Sequence, residues 1–102
     1  MKHERVYIAG KVTGLDRNYV IEKFEYWKQK LRKAGYIPVS PVDVIDENTS
    51  WYDAMDICLK LLGTCHKALF QKDWFSSQGA MQEMEFCKER DIPILSRYMI
   101  NN

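Results

Sequence analysis

The sequence lacks an excess of charge of either sign. Its 15 Lys and Arg residues are offset by 14 Asp and Glu residues, which leaves a formal net charge of +1. A protein that binds nucleic acid usually carries a clearly basic face. The near balance therefore argues against a nucleic-acid polymer as a partner.

Long apolar runs are also missing. The start, MKHERVYIAG, has no hydrophobic stretch of the length found in signal peptides, and no segment approaches a membrane-spanning length. We therefore expect a cytoplasmic protein without a membrane partner.

Cysteine is scarce. Cys58, Cys65 and Cys87 are odd in number and show no C-x-x-C spacing. This pattern argues against a disulfide framework and against a zinc site. Buried, reduced thiols are the expectation, with no bound metal.

Glycine-rich nucleotide fingerprints are absent too. The loop AGKVTGL holds Gly10 and Gly14, but it is neither G-x-G-x-x-G nor a P-loop, so we expect no cofactor. The two glycines allow either a close backbone approach to a ligand or simply a tight structural turn. No repeats or low-complexity segments interrupt the 102 residues, and we expect a single domain over 1–102.

Short apolar strands alternate with amphipathic helices along the chain. Strands are predicted at 5–10, 36–41, 67–71 and 92–95, and helices in the segments YVIEKFEYWKQKLRKAG and WYDAMDICLKLLG and from SSQG to about Arg90. This order predicts an α/β fold with a small doubly wound parallel sheet, Rossmann-like or flavodoxin-like, of about four to five strands with helices on both faces. Pro38 places the second strand at or near an edge.

A ligand site is expected outside the carboxyl ends of these strands. The loops there are 10–16, 40–49 and 72–79, the last of which leads into the third helix. At about 100° per residue, Glu83 falls within the apolar margin of that helix, whereas Glu85 falls on the solvent side. Burying a carboxylate is costly, so a glutamate at such a position either has a function or hydrogen-bonds a backbone group or an arginine.

The stretch SSQG precedes Glu83 at the start of the same helix. Unpaired N–H groups and the helix dipole favour an anion there, phosphate included. The alternative is simple N-capping by Ser76 or Ser77, and both can hold at once.

Several motifs together resemble a known family. VYIAGKVTG, AGYIPVSP, WYDAMDI, LLGTC, DWFSSQGAMQE and IPI follow one another over about residues 5 to 95. In combination they resemble the nucleoside 2-deoxyribosyltransferase-like superfamily, and within it the short bacterial and phage branch of the DUF4406 type. The chain departs from that branch at Cys65-His66, where CD is usual, and at Lys72-Asp73-Trp74, where PGW is usual.

The resemblance implies an enzyme that cleaves the N-glycosidic bond of a deoxynucleoside or its 5′-monophosphate. The sugar then passes to another base or to water. The family nucleophile falls on Glu83, and the tyrosine that holds it falls on Tyr7. Asp56 corresponds to the aspartate that contacts the nucleobase or assists its departure. Retaining glycoside hydrolases use two carboxylates in the same way, around an oxocarbenium-like transition state.

The resemblance also implies binding residues and an assembly. Ser77 and Gly79 correspond to phosphate contacts in the monophosphate hydrolases, Gly10 lines the sugar pocket, and Trp74 lies in the loop nearest the ligand. The expected partner is a small-molecule nucleoside or nucleotide, and the expected assembly is a homodimer or larger homo-oligomer.

Two other readings remain open at this point. The first is a non-catalytic nucleotide-binding or sequestering module that uses the same pocket. The second is a small structural or interaction protein with Trp51 and Trp74 in a subunit interface.

Overall fold

Three parallel strands form one sheet in the computed structural model, which describes residues 3–100. The strands β1 (Arg5–Ala9), β2 (Ile37–Val39) and β3 (Lys67–Phe70) lie in the order β2-β1-β3. Three helices, α1 (Arg17–Lys33), α2 (Trp51–Leu62) and α3 (Gln78–Arg90), complete an α/β architecture. Single 3-10 turns occur at Pro41–Asp43, Trp74–Ser76 and Arg97–Met99.

The central strand is β1, which pairs with both neighbours. Tyr7 lies beside Val39 of β2 and beside Ala68 of β3. Residues 6–9 are all buried, as the continuous apolar run predicts for a strand covered on both faces. The edge position predicted for the strand that contains Pro38 is confirmed within the described sheet.

The segment at 92–95 does not form the predicted fourth strand. It makes one isolated parallel bridge to β3. The Ala68 N–H donates to the Pro93 carbonyl, and the Leu95 N–H donates to the Ala68 carbonyl. Pro93 has no N–H to extend a ladder, and the Ile92 N–H already donates to the Cys87 carbonyl at the end of α3. Within residues 3–100 the sheet therefore has three strands, not four to five, and a wider doubly wound sheet is not shown.

Two buried clusters lie on the two sides of the sheet because successive strand residues point to opposite faces. Val6 and Ile8 pack with side chains of α1, including Phe24. Tyr7 and Ala9 pack instead with residues from α2 and α3. Residues of all three helices line the candidate site.

Each of the three helices begins at a residue whose side chain caps it. Ser50 accepts a hydrogen bond from the Asp53 N–H, and Ser77 accepts one from the Ala80 N–H, each at 3.1 Å. Asp16 caps α1 in the same way. In the part of the chain that the structure describes, no helix has the length and apolar character needed to cross a membrane.

Candidate active site

A cavity of about 710 Å³ opens at the carboxyl-terminal edge of the sheet. Its walls come from the end of β1 and the loop after it, from α1, from the segment 41–45, from α2 and from the start of α3. The volume lies within the range of about 300–1,000 Å³ that is typical of small-molecule pockets. This is also where parallel α/β sheets bind their ligands.

Glu83 lines this cavity from α3. Its side chain is buried, with 5% of the residue exposed. Glu85, two positions later, is exposed and lies 3.9 Å from Lys88. The division of the two glutamates by helical phase is therefore confirmed.

Tyr7 is the hydrogen-bond partner of Glu83. Its hydroxyl donates to Glu83 Oε2 over 2.5 Å, and the tyrosine is fully buried behind the cavity wall. Tyr7 points to this side because β1 alternates its side chains between the two faces of the sheet. The strand thus presents a donor directly to the buried carboxylate.

Burial changes the protonation of this pair. Loss of hydration raises the pKa of Glu83 to about 7, although the hydrogen bond from Tyr7 acts in the opposite direction. The pKa of Tyr7 is raised well above its ordinary value, first by burial and then by the Glu83 charge. At neutral pH Tyr7 therefore remains a donor, and Glu83 is divided between its two protonation states.

Cys58 is a site residue that the sequence reasoning missed. It lines the cavity from α2 together with Glu83, and it belongs to the same buried cluster as Tyr7. Burial and the Glu83 charge raise the pKa of Cys58 to about 12, so the thiol keeps its proton. The available signal was helical spacing, because Cys58 follows the buried Met55 by one turn.

Asp56 lies outside the cavity wall. Its carboxylate is exposed and pairs with Lys60 at 3.2 Å, one turn along α2. Among the residues that the structure describes, Glu83 is the one acidic side chain that lines the cavity. Within residues 3–100, the two carboxylates implied by the resemblance do not meet at this cavity.

Gly10 lines the cavity where the chain leaves β1. A Cβ at this position would stand 2.4 Å from Gln71 Nε2 and 2.8 Å from Gln71 Cδ. Gln71 is itself buried, with 3% of the residue exposed. Glycine is therefore favoured at position 10 because the segment after β1 and the segment after β3 approach each other closely there.

Ser77 and Gly79 both line the cavity at the N-terminus of α3. The Ser77 hydroxyl caps the helix by accepting from the Ala80 N–H. A Cβ on Gly79 would lie 3.0 Å from Met55 Sδ, which means that α3 approaches α2 closely here. The structure thus brings Gly10, Ser77, Gly79 and Glu83 to one cavity.

Trp74 is not part of the cavity lining. Its ring packs edge-to-face against Phe70, with 5.7 Å between the ring centroids, and contributes to the cluster beneath α2 and α3. Trp51, by contrast, lines the cavity and makes an edge contact with Tyr52.

The unusual KDW stretch fixes one loop of the site to another. Asp73 accepts the Lys11 backbone N–H at 3.1 Å and pairs with Lys23 Nζ at 3.1 Å. Lys23 also donates to the Lys11 carbonyl. Asp73 therefore joins the loop after β3 to the loop after β1, which carries Gly10.

Two cations on the cavity wall were not anticipated as site residues. Lys11 and Arg17 both line the cavity. Arg17 donates to the Ile45 carbonyl, and within residues 3–100 neither side chain forms an ion pair. The cavity thus combines two unpaired cations with one buried glutamate.

Residues 3–100 contain no group of three or more His, Cys, Asp or Glu side chains arranged to hold an ion.

Comparison with known proteins identifies the family. No curated protein matches the chain. The family model described as a domain of unknown function, DUF4406, matches residues 4–96, which include β1, all three helices and every residue of the site discussed above. The chain therefore belongs to the DUF4406 family.

Proposed function

We propose that this protein cleaves the N-glycosidic bond of a nucleoside or nucleoside 5′-monophosphate, with Glu83 as the nucleophile. The observation that carries the proposal is the buried Glu83 carboxylate on the wall of a cavity of about 710 Å³, held by the Tyr7 hydroxyl. A buried carboxylate with a raised pKa in a cleft is the usual signature of a functional group.

The reaction would proceed in two steps. The ionised Glu83 attacks C1′ of the sugar, and the base departs with the electrons of the N-glycosidic bond and takes up a proton from solvent. Water or a second base then attacks C1′ and releases Glu83 as a carboxylate. Tyr7 orients Glu83 and lowers the free energy of its charged form.

The cavity wall favours a substrate that carries a phosphate. Ser77 and Gly79 lie at the N-terminus of α3, where unpaired N–H groups attract anions. Lys11 and Arg17 add two positive charges to the same cavity. A 5′-monophosphate would complement these groups, whereas an uncharged nucleoside would leave both cations without a partner.

This activity agrees with the resemblance to the nucleoside 2-deoxyribosyltransferase-like superfamily. We further propose a cytoplasmic protein that assembles as a homodimer or larger homo-oligomer. Size-exclusion chromatography with light scattering tests the assembly, and a monomer at working concentration would contradict it.

The second candidate function is a non-catalytic nucleotide-binding or sequestering module. The position of Asp56 favours it, because this carboxylate is exposed and does not reach the cavity to assist a leaving base. Such a module would be stabilised by its ligand and would return that ligand unchanged.

One experiment separates the two candidates. The protein is incubated with a panel of deoxynucleosides, ribonucleosides and their 5′-monophosphates, and free base is measured by chromatography alongside the melting temperature. An enzyme releases base from at least one compound, Glu83→Gln abolishes the release, and Glu85→Gln retains it. A compound that raises the melting temperature and is recovered intact supports the binding module. If Glu83→Gln kept full activity, the nucleophile assignment would be wrong.

A further inference from the structure

The backbone of Lys11 is held at both its N–H and its carbonyl by charged side chains from other parts of the chain. The N–H donates to Asp73 Oδ1 at 3.1 Å, and the carbonyl accepts from Lys23 Nζ at 3.0 Å. Lys23 Nζ and Asp73 Oδ2 in turn form an ion pair at 3.1 Å. The three contacts close a ring, whose members come from the loop after β1, from α1 and from the loop after β3.

This ring is partly shielded from water. The Lys23 side chain is 11% exposed and the Asp73 side chain 28%. Partly buried charges are screened by salt much less than exposed ones, whereas an exposed pair such as Glu85 with Lys88 contributes little. The ring therefore fixes the position of the Lys11 backbone.

The loop that the ring holds forms part of the cavity wall. Residues 10–13 all line the cavity. Beyond them the chain turns at Gly14, whose φ is 86°, and the Leu15 N–H donates to the Val12 carbonyl. Asp73 and Lys23 do not line the cavity themselves. Any effect that they have on a bound ligand therefore passes through the loop.

The side chain of Lys11 is available to a ligand. Within residues 3–100 its ammonium forms neither a hydrogen bond nor an ion pair, whereas Arg17 on the same wall already donates to the Ile45 carbonyl. An ammonium is a compact charge that binds phosphate, but it stands on a flexible stem. A fixed backbone limits the positions that this charge can reach, which lowers the entropy lost when a ligand binds.

We propose that Asp73 and Lys23 are positioning residues for Lys11, and that the Lys11 ammonium so placed binds the phosphate of a nucleoside 5′-monophosphate in the cavity. The inference takes its ligand class from the proposed function, but it does not depend on cleavage of that ligand.

The negative charge of Asp73 gives the proposal a distinctive sign. By electrostatics alone, the loss of Asp73 removes a repulsive charge and frees the Lys23 cation, so an anion would bind more tightly. If Asp73 acts by holding Lys11, its loss weakens the same binding. Asp73→Asn separates the two effects, because the amide oxygen still accepts from the Lys11 N–H while the charge is gone.

Calorimetric titrations with ligands that differ only in the phosphate test the proposal. The common deoxynucleoside 5′-monophosphates are titrated into the protein, each beside its own nucleoside. Lys11→Met and Asp73→Ala are each expected to weaken the binding of the monophosphate about tenfold and to leave that of the nucleoside unchanged. Asp73→Asn is expected to bind the monophosphate at least as tightly as the wild type. Glu85→Ala, which removes an exposed carboxylate paired with Lys88, is the control and is expected to change neither affinity.

A double variant shows whether Asp73 acts through Lys11. In the Lys11→Met background, Asp73→Ala is expected to cause no further loss of affinity, because the ammonium that it positions is already absent. If Asp73→Ala does not fold, Lys23→Met takes its place. Lys23→Met is expected to weaken the binding of the monophosphate in the wild type but not in the Lys11→Met background.

Unchanged or tighter binding of the monophosphate by Asp73→Ala overturns the proposal, and so does a full further loss in the Lys11→Met background. A wild type that binds no monophosphate at all overturns it together with the phosphate preference of the proposed function. Otherwise the two failures are distinct. A monophosphate that binds through Lys11 and Asp73 and is recovered intact supports the positioning role and rejects cleavage, whereas a cleaved monophosphate whose affinity ignores Asp73 does the reverse.

Discussion

The Tyr7 hydroxyl and Glu83 Oε2 lie 2.5 Å apart, although 76 positions separate the two residues in the chain. The contact joins the central strand to α3 across the interior of the protein. Both partners are buried, so water does not compete for the hydrogen bond. The same contact links the stability of the fold to the ionisation of Glu83.

Tyr7→Phe is expected to raise the pKa of Glu83 above 7, because it removes a donor that favours the carboxylate. A hydrogen bond to a charged group contributes about 1.5–3 kcal/mol, which corresponds to a rise of about one to two pH units. An NMR titration of protein labelled with ¹³C at the glutamate side-chain carboxyl measures the midpoint, and the Glu83 resonance is identified by its absence in Glu83→Gln. Tyr36→Phe, on the opposite side of the sheet, is the control and is expected to leave the midpoint in place. An unchanged midpoint in Tyr7→Phe would contradict the role given to the hydroxyl.

Helical phase predicts the burial of Glu83 and the exposure of Glu85, because the periodicity of one helix is a local property. The same reasoning applied to α2 would have selected Cys58 and rejected Asp56. Cys58 lies between the buried Met55 and Leu62 on the inner face, whereas Asp56 turns outward. A motif resemblance matches positions in a sequence, but it does not establish which way a side chain points.

Other features depend on partners that are distant in the chain. The contact between Tyr7 and Glu83 could be expected from the resemblance, but its geometry requires the folded sheet. The hydrogen bond of Asp73 with the Lys11 N–H and its ion pair with Lys23 join three segments of the chain, so no local sequence pattern predicts them. The absence of the fourth strand could be predicted only in part. The sequence shows that Pro93 lacks an N–H, but it does not show that the Ile92 N–H donates to the Cys87 carbonyl at the end of α3.

The stability of the protein is expected to fall as pH rises from about 4.5 to about 7. Over this interval the folded state holds a proton on Glu83 that the unfolded state releases, because burial raises the folded-state pKa from 4.5 to about 7. The loss is on the order of 3 kcal/mol from this one group. Urea unfolding at a series of pH values measures it.

Glu83→Gln supplies the comparison, because glutamine does not titrate. The difference in unfolding free energy between Glu83→Gln and the wild type is expected to grow in favour of the variant from pH 4.5 to 7 and to level off above. The exposed Glu85→Gln is expected to follow the wild-type curve. A Glu83→Gln curve parallel to that of the wild type would mean that Glu83 is not the group responsible.

Gly10→Ala is expected to destabilise the protein by about 1–3 kcal/mol, as overpacking of a buried site does. The added Cβ would stand 2.4 Å from the buried Gln71 Nε2. Gly63→Ala is the control, because a Cβ there meets its nearest atoms at 3.4 Å or more. Chemical denaturation gives both values.

A double mutant tests the cause. If the clash with Gln71 is responsible, Gln71→Ala should relieve it, and the double variant should lose less stability than the sum of the two single variants. Strict additivity would show that Gly10 is required for a reason other than this contact.

Asp73→Ala is expected to cost about 1–3 kcal/mol of unfolding free energy, because it leaves the Lys11 N–H without its acceptor and the largely buried Lys23 ammonium without its counter-ion. Asp56→Ala removes an exposed pair with Lys60 and is expected to cost less than about 1 kcal/mol. Lys23→Met keeps the apolar stem and should cost less than Asp73→Ala, since Asp73 would still accept from Lys11. Equal losses for Asp73→Ala and Asp56→Ala would mean that the tie between the two loops contributes no more than a surface ion pair.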